Sequence, residues 1–162
     1  MILNRQRAVR VALRPLELLE KRVCHALGLC NADVTICLVS DAEIARMNET
    51  FRKKKGPTDV LSFPAIERKR PAGLTAKLIQ RRRALKQRVR RNVSNFSAYI
   101  GDIAISPATA RRNAKHERRS LDAELRVLIL HGILHLLGYD HERDQGQMNR
   151  IESRLRRRLG LA

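Results

Sequence analysis

The chain has 162 residues, with 34 Lys and Arg against 16 Asp and Glu, which leaves a formal net charge of +18. With 43% of residues hydrophobic there is material for one packed core, so wholesale disorder is excluded and a single domain over residues 1–162 is expected. A field of this sign favours a polyanionic partner, nucleic acid ahead of an anionic membrane surface. No apolar run approaches the ~20 residues that span a bilayer. The longest candidate, Val127 to Leu130, stops at His131, so no membrane association is expected. Cys24, Cys30 and Cys37 are odd in number and lack CxxC spacing, which points away from a disulfide framework and towards a reducing cytoplasm.

Met1 to about Leu13 is basic and has no acidic residue; without a signal peptide's apolar centre, it reads as an edge strand. Pro15 suits the opening of a helix whose apolar positions Leu16, Leu19, Val23, Ala26 and Leu27 recur at helical spacing until Gly28. Asp33 to Val39 is short and β-branched, a second strand. Ser40-Asp-Ala-Glu43 is a capping box that opens a helix to about Phe51. After the basic turn 52–57, Asp59 to Phe63 is a strand stopped by Pro64, and Ala98 to Ile105 is another. Ser106-Pro107 starts a helix to about Arg118, Ser120 caps the next, which Gly138 ends, and an arginine-rich helix from about Gln145 to Leu159 finishes the chain. Strands interleaved with about five helices make this an α/β (α+β) fold. One stretch breaks the rhythm. Residues 67–91 hold eleven Lys and Arg and one acid, +10 of the total, and read as a basic insertion, spanning about 67–95, that is solvated or orders on RNA.

The chemistry is concentrated in His131-Gly-Ile-Leu-His135-Leu-Leu-Gly138-Tyr-Asp-His141. Four residues apart on a helix, His131 and His135 share one face, and Gly138 allows the chain to leave the helix and swing His141 back as a third ligand. Three neutral imidazoles with one open position suit a catalytic Zn²⁺, one per chain. His25 and His116 have no such partners and are expected on the surface. The same HxxxHxxGxxH spacing occurs on the zinc helix of metzincin-type peptidases, where the residue after the first His is a Glu acting as general base; here it is Gly132. Met148, a candidate for the peptidases' supporting methionine, is expected in the core instead.

Three blocks together carry a family resemblance: Asn48-Glu-Thr-Phe-Arg52 followed by Pro57-Thr-Asp-Val-Leu-Ser-Phe-Pro64; Gly101-Asp-Ile-Ala-Ile-Ser106; and the histidine block. In these the chain resembles the YbeY family of bacterial ribosomal-RNA maturation factors, metal-dependent endoribonucleases acting on single-stranded RNA. The resemblance implies a compact fold with a small mixed sheet, a zinc site at His131, His135 and His141, and a functional Arg52 in a basic cleft beside it. It also implies the small ribosomal subunit and its assembly factors as partners, in 16S RNA 3′-end maturation and quality control. The insertion is the departure from the family pattern, so no RNA role for it is implied.

In such a site Arg52, with five donors and a permanent charge, is suited to clamp a phosphate. Whether an activated water or the RNA 2′-hydroxyl attacks phosphorus stays open. Asp59 and Asp102, expected on neighbouring strands, are candidates for orienting an imidazole or for acid/base work, with a strand-end cap equally in view. Asp140 is adjacent to a ligand, and Glu124, two turns before His131, is a candidate to contact it or to serve the helix dipole. Arg and Lys at 52–55, in the insertion and at 154–158 are expected to track phosphates, with stacking limited by only two Tyr and three Phe. Two other readings compete: a zinc peptidase, and a non-catalytic RNA-binding assembly factor with a structural metal.

Overall fold

A computed structural model describes residues 1–65 and 98–161. The expected insertion at about 67–95 lies outside the described residues. Four strands, β1 (Ile2–Asn4), β2 (Ala32–Leu38), β3 (Val60–Pro64) and β4 (Ala98–Ile105), form one sheet in the order β1-β2-β4-β3. β1, β2 and β4 run parallel, and β3 is antiparallel to β4, so the sheet is mixed. Among the described residues five α-helices accompany it: α1 (Leu13–Ala26), α2 (Asp41–Met47), α3 (Pro107–His116), α4 (Leu121–Leu136) and α5 (Gln147–Leu159). The α+β expectation therefore holds.

The first strand is shorter than expected for an identifiable reason, and the second helix reaches its expected end in a wider form. The first strand ends at Asn4 rather than near Leu13, because the Gln6 side chain closes a turn. Its Nε2 donates to the Val9 carbonyl at 2.8 Å while Val9 N–H donates to Oε1 at 2.9 Å, replacing the ladder bonds a longer strand would make. Beyond α2 the chain continues as a wider, π-helical turn, Asn48–Arg52, closed by Lys53 at φ 58°. Asn48, buried, donates from Nδ2 to Gly56 O at 3.0 Å and so ties the basic turn that follows to its own start.

Alternation along the strands sorts the sheet into two faces. Val34, Ile36, Leu38, Ile103 and Ile105 point to the main core, where they meet Leu16, Leu19 and Val23 of α1, Leu125, Ile129 and Ile133 of α4, and Met148 and Leu155 of α5. The other face is lightly covered: Ile44 of α2 packs on Val39, Leu61 and Ala104. α4 is the central helix. It is apolar almost all round because it is enclosed by the sheet and by its neighbours. The caps read from the sequence are present, Ser40, Ser106 and Ser120 accepting from the N–H groups of Glu43, Thr109 and Ala123. Asp41 ties α2 to α3, accepting from Ser106 Oγ, from Thr109 Oγ1 at 2.8 Å and from Arg112 Nη2 at 2.7 Å. Partial burial would raise its pKa, but the hydrogen bonds from Ser106, Arg112 and Thr109 hold it below the usual carboxylate value.

Candidate metal centre

The three histidines meet where α4 runs out. His131 and His135 lie on its last two turns. Gly138, at φ 82°, then takes the left-handed conformation that an L side chain disfavours, and the chain turns back to bring His141 alongside. One nitrogen from each of the three residues lies within 4.8 Å of the others. His131 Nε2 and His135 Nε2 are 3.1 Å apart. With Zn–N near 2.0–2.1 Å, two ligands of a tetrahedral ion lie roughly 3.3 Å apart, so this pair is already at ligand spacing. Burial, then the charge that His131 and His141 would carry, push the His135 pKa below the ordinary histidine value, which keeps its lone pair free. The negative end of the α4 dipole favours a cation at the same point. The donor set fits a metal ion with an open coordination position.

Glu152 of α5 completes the arrangement and is the residue the sequence reading missed. Its Oε2 is 2.9 Å from His131 Nδ1, and Arg156 bonds its other oxygen. A carboxylate only accepts, so Nδ1 carries the proton and Nε2 presents its lone pair towards His135. Burial would raise the Glu152 pKa, but the His131 hydrogen bond and the Arg156 charge hold it below the usual value. The only signal in the chain was a Glu among arginines at helical spacing from Met148, which looks like a surface residue until α5 is docked. Glu152→Ala is expected to weaken metal affinity on the order of 10- to 100-fold. Glu152→Gln, which keeps an acceptor, is expected to fall between it and wild type. Metal titration against a competing chelator measures both, and equal affinity in all three proteins would refute the orienting role.

The other acidic candidates go elsewhere. Asp59 caps the start of β3, accepting from Val60 N at 2.8 Å and from Asn113 Nδ2 of α3 at 3.0 Å. Asp102 lies opposite Phe63 on the sheet face away from α4, and its hydrogen bond with Tyr99 raises the tyrosine's pKa. Asp140 caps its own turn by accepting from Glu142 N at 3.0 Å. Glu124 pairs with Arg119 at 3.4 Å, and burial pushes its pKa up; the contact to His131 considered for it belongs to Glu152. His25 and His116 are exposed and Met148 is fully buried, as expected.

Arg52 reaches the loop that carries His141. Its Nη2 lies 3.5 Å from Oε1 of Glu142, the residue after His141, and both side chains are about half exposed. β3 holds the same neighbourhood together, Ser62 Oγ donating to Gly132 O at 3.3 Å. Gly132 is buried: a Cβ there would stand 2.9 Å from two carbons of Ile103. The position where a peptidase carries its general base is pressed against the sheet, with no room for a carboxylate.

The fold and site thus define an α+β protein whose buried central helix ends in a three-histidine group able to hold a metal ion. The family model described as Endoribonuclease YbeY matches residues 2–160, and the chain belongs to the YbeY family. The Endoribonuclease YbeY of Koribacter versatilis (strain Ellin345) is 37% identical over 161 residues, 99% of this chain and 86% of that protein. That of Aquifex aeolicus (strain VF5) is 40% identical over 120 residues, 73% of this chain and 62% of its own length. A Thermotoga maritima protein solved in solution aligns with a TM-score of 0.56 at 25% identity, covering 98% of this chain and 89% of that one. Among the described residues no helix is long and apolar enough to cross a membrane, and all three cysteines are free.

Proposed function

We propose that the protein is a zinc-dependent endoribonuclease that cuts single-stranded RNA, acting in the cytoplasm on ribosomal RNA of the small subunit, in 16S 3′-end maturation and quality control. The observation that carries the reading is the three-histidine group with Arg52 at its rim, in a chain of this family. Three nitrogen donors with an open position suit zinc. A divalent ion held there supplies Lewis-acid charge at a phosphate and lowers the pKa of water.

The chain's own residues provide the rest. His131, His135 and His141 hold the ion, and Glu152 fixes the tautomer and angle of His131. Arg52 clamps a phosphate oxygen with its guanidinium fork. Its present partner, Glu142, is readily displaced, since an exposed ion pair is worth only about 0–1 kcal/mol. Lys53, Lys54 and Lys55, and Arg154, Arg157 and Arg158 of α5, are all exposed and available to the sugar–phosphate backbone. The small subunit and its assembly factors as partners follow from the family resemblance and the charge. Gly132, closed off by Ile103, disfavours the peptidase alternative.

The test is cleavage of a labelled single-stranded RNA beside a casein control. Arg52→Ala is expected to lower kcat/KM on RNA about a hundredfold with metal content unchanged. Arg52→Lys is expected to recover only part, because a point charge cannot replace the bidentate fork. Wild-type protein that binds RNA but never turns it over, metal-replete and with small subunits supplied, would instead make it a non-catalytic assembly factor.

A further inference from the structure

Phe51 is 65% exposed although it is one of only three phenylalanines in the chain. Its ring does not swing freely. It meets Phe63 edge to face, with centroids 5.1 Å apart and planes at 73°, and Phe63 in turn packs with the Leu61 and Ala104 cluster on the α2 face of the sheet. Such a contact fixes the ring's orientation and leaves the rest of its surface open. Four consecutive exposed cations follow it, Arg52, Lys53, Lys54 and Lys55. Their turn is held by the Asn48–Gly56 hydrogen bond and by Lys53 Nζ donating to Thr50 O at 3.1 Å. Arg52 reaches Glu142, next to His141. An open ring and a run of positive charge are therefore adjacent in the chain, and Arg52 links them to the loop that carries His141.

We propose that Phe51, backed by Phe63, is a stacking platform for an unpaired RNA base flanking the scissile phosphate, and that it sets the preference for single strands. The inference rests on the ribonuclease reading above and assigns a substrate-binding residue to it. Only an unpaired base has a free π-face to offer, because the bases of a duplex stack on one another. The four cations next to the ring match the phosphates on either side of such a base. They would be costly to bury in the apolar centre of a protein interface, which is depleted of charge. The platform also separates two jobs that charge alone confuses: cations attract any phosphate chain, paired or not, whereas the ring attracts bases.

The experiment compares wild type, Phe51→Ala, Phe51→Leu and Phe51→Trp, each metal-loaded, on three substrates: a single-stranded RNA, the same strand with abasic residues flanking the cleavage site, and the duplex. Because the side chain is mostly in solvent and its aromatic contact is with Phe63, all four proteins are expected to stay folded, with only a small fall in melting temperature in Ala and Leu. With intact single strand, Phe51→Ala is expected to lose on the order of 5- to 100-fold in kcat/KM, Phe51→Trp to match or exceed wild type, and Phe51→Leu to resemble Ala. On the abasic strand the wild type falls to the level of Phe51→Ala, and the preference for single strand over duplex shrinks in Ala and Leu. If wild type cuts RNA and Phe51→Ala cuts it equally well, the platform is refuted while the nuclease reading stands. The platform is refuted in the same way if Leu serves as well as Phe, or if Ala loses equally on intact and abasic strands. If wild type cuts no RNA at all, the nuclease reading itself fails, and the platform with it.

Discussion

Replacing His135 by Ala is expected to take the metal content from one ion per chain to near zero and to lower RNA cleavage by about two orders of magnitude or more. The size follows from what is lost. Two nitrogens remaining from a three-ligand set hold an ion weakly, and the Lewis-acid charge that disappears is worth several kcal/mol of transition-state stabilisation. His135 is the sharpest probe of the three. Burial, then the charge its two histidine neighbours would carry, push its pKa down, and its Nε2 already stands 3.1 Å from that of His131. Alanine is a good helix former, so α4 persists, and circular dichroism separates loss of ligand from loss of fold. The same two readings, metal by mass spectrometry and cleavage on gels, are to be made on wild type treated with chelator and then restored with zinc. A folded, metal-free His135→Ala protein that cuts RNA as fast as wild type would rule out the metal-dependent mechanism and implicate a contaminating nuclease.

Gly101→Ala is expected to be the most damaging single methyl in the sheet. Gly101 sits at φ 139°, where L residues rarely go, and β4 carries one extra residue there relative to β2, whose Asp33 and Val34 face Tyr99 and Gly101. A Cβ would lie 2.3 Å from the Phe63 carbonyl oxygen and 2.9 Å from Leu136 Cδ2. The first is backbone of β3 and cannot rotate away; the second belongs to the residue after His135. Backbone strain of about 1–3 kcal/mol and overpacking of a similar size combine to roughly 2–6 kcal/mol. That is a large share of the ~5–15 kcal/mol that stabilises an ordinary domain. Thermal melts are expected to fall by about 10 °C, and metal affinity to weaken as the end of α4 is displaced. A melting temperature within about 2 °C of wild type would mean that β3 and β4 tolerate a shift that the packing of Gly101 argues against.

Most of the element order could be read from local signals. Ser40, Ser106 and Ser120 each cap the helix they were expected to open, because an N-cap needs only the few residues that follow it. Gly138 ends the histidine-bearing helix for the equally local reason of its backbone freedom. The N-terminal strand is shorter than the sequence suggests because the bond that ends it, from the Gln6 amide to Val9, is a side-chain contact with no periodicity to betray it. Arg52 was singled out only by family resemblance, since nothing intrinsic distinguishes it among 26 arginines; the Glu142 contact shows where it lies.

The histidine spacing, the caps and the charge belong to the linear chain: four residues make one helical turn wherever the helix sits, and net charge needs no coordinates. Glu152 against His131, Asp59 tied to Asn113 of α3, Gly132 closed by Ile103, and Phe51 left open beside Arg52 all depend on which elements meet. Each brings together residues 20 or more positions apart in the chain or turns on what a neighbour leaves uncovered. Contacts of that range are settled by how β3, β4, α4 and α5 share one core, and no local pattern encodes them.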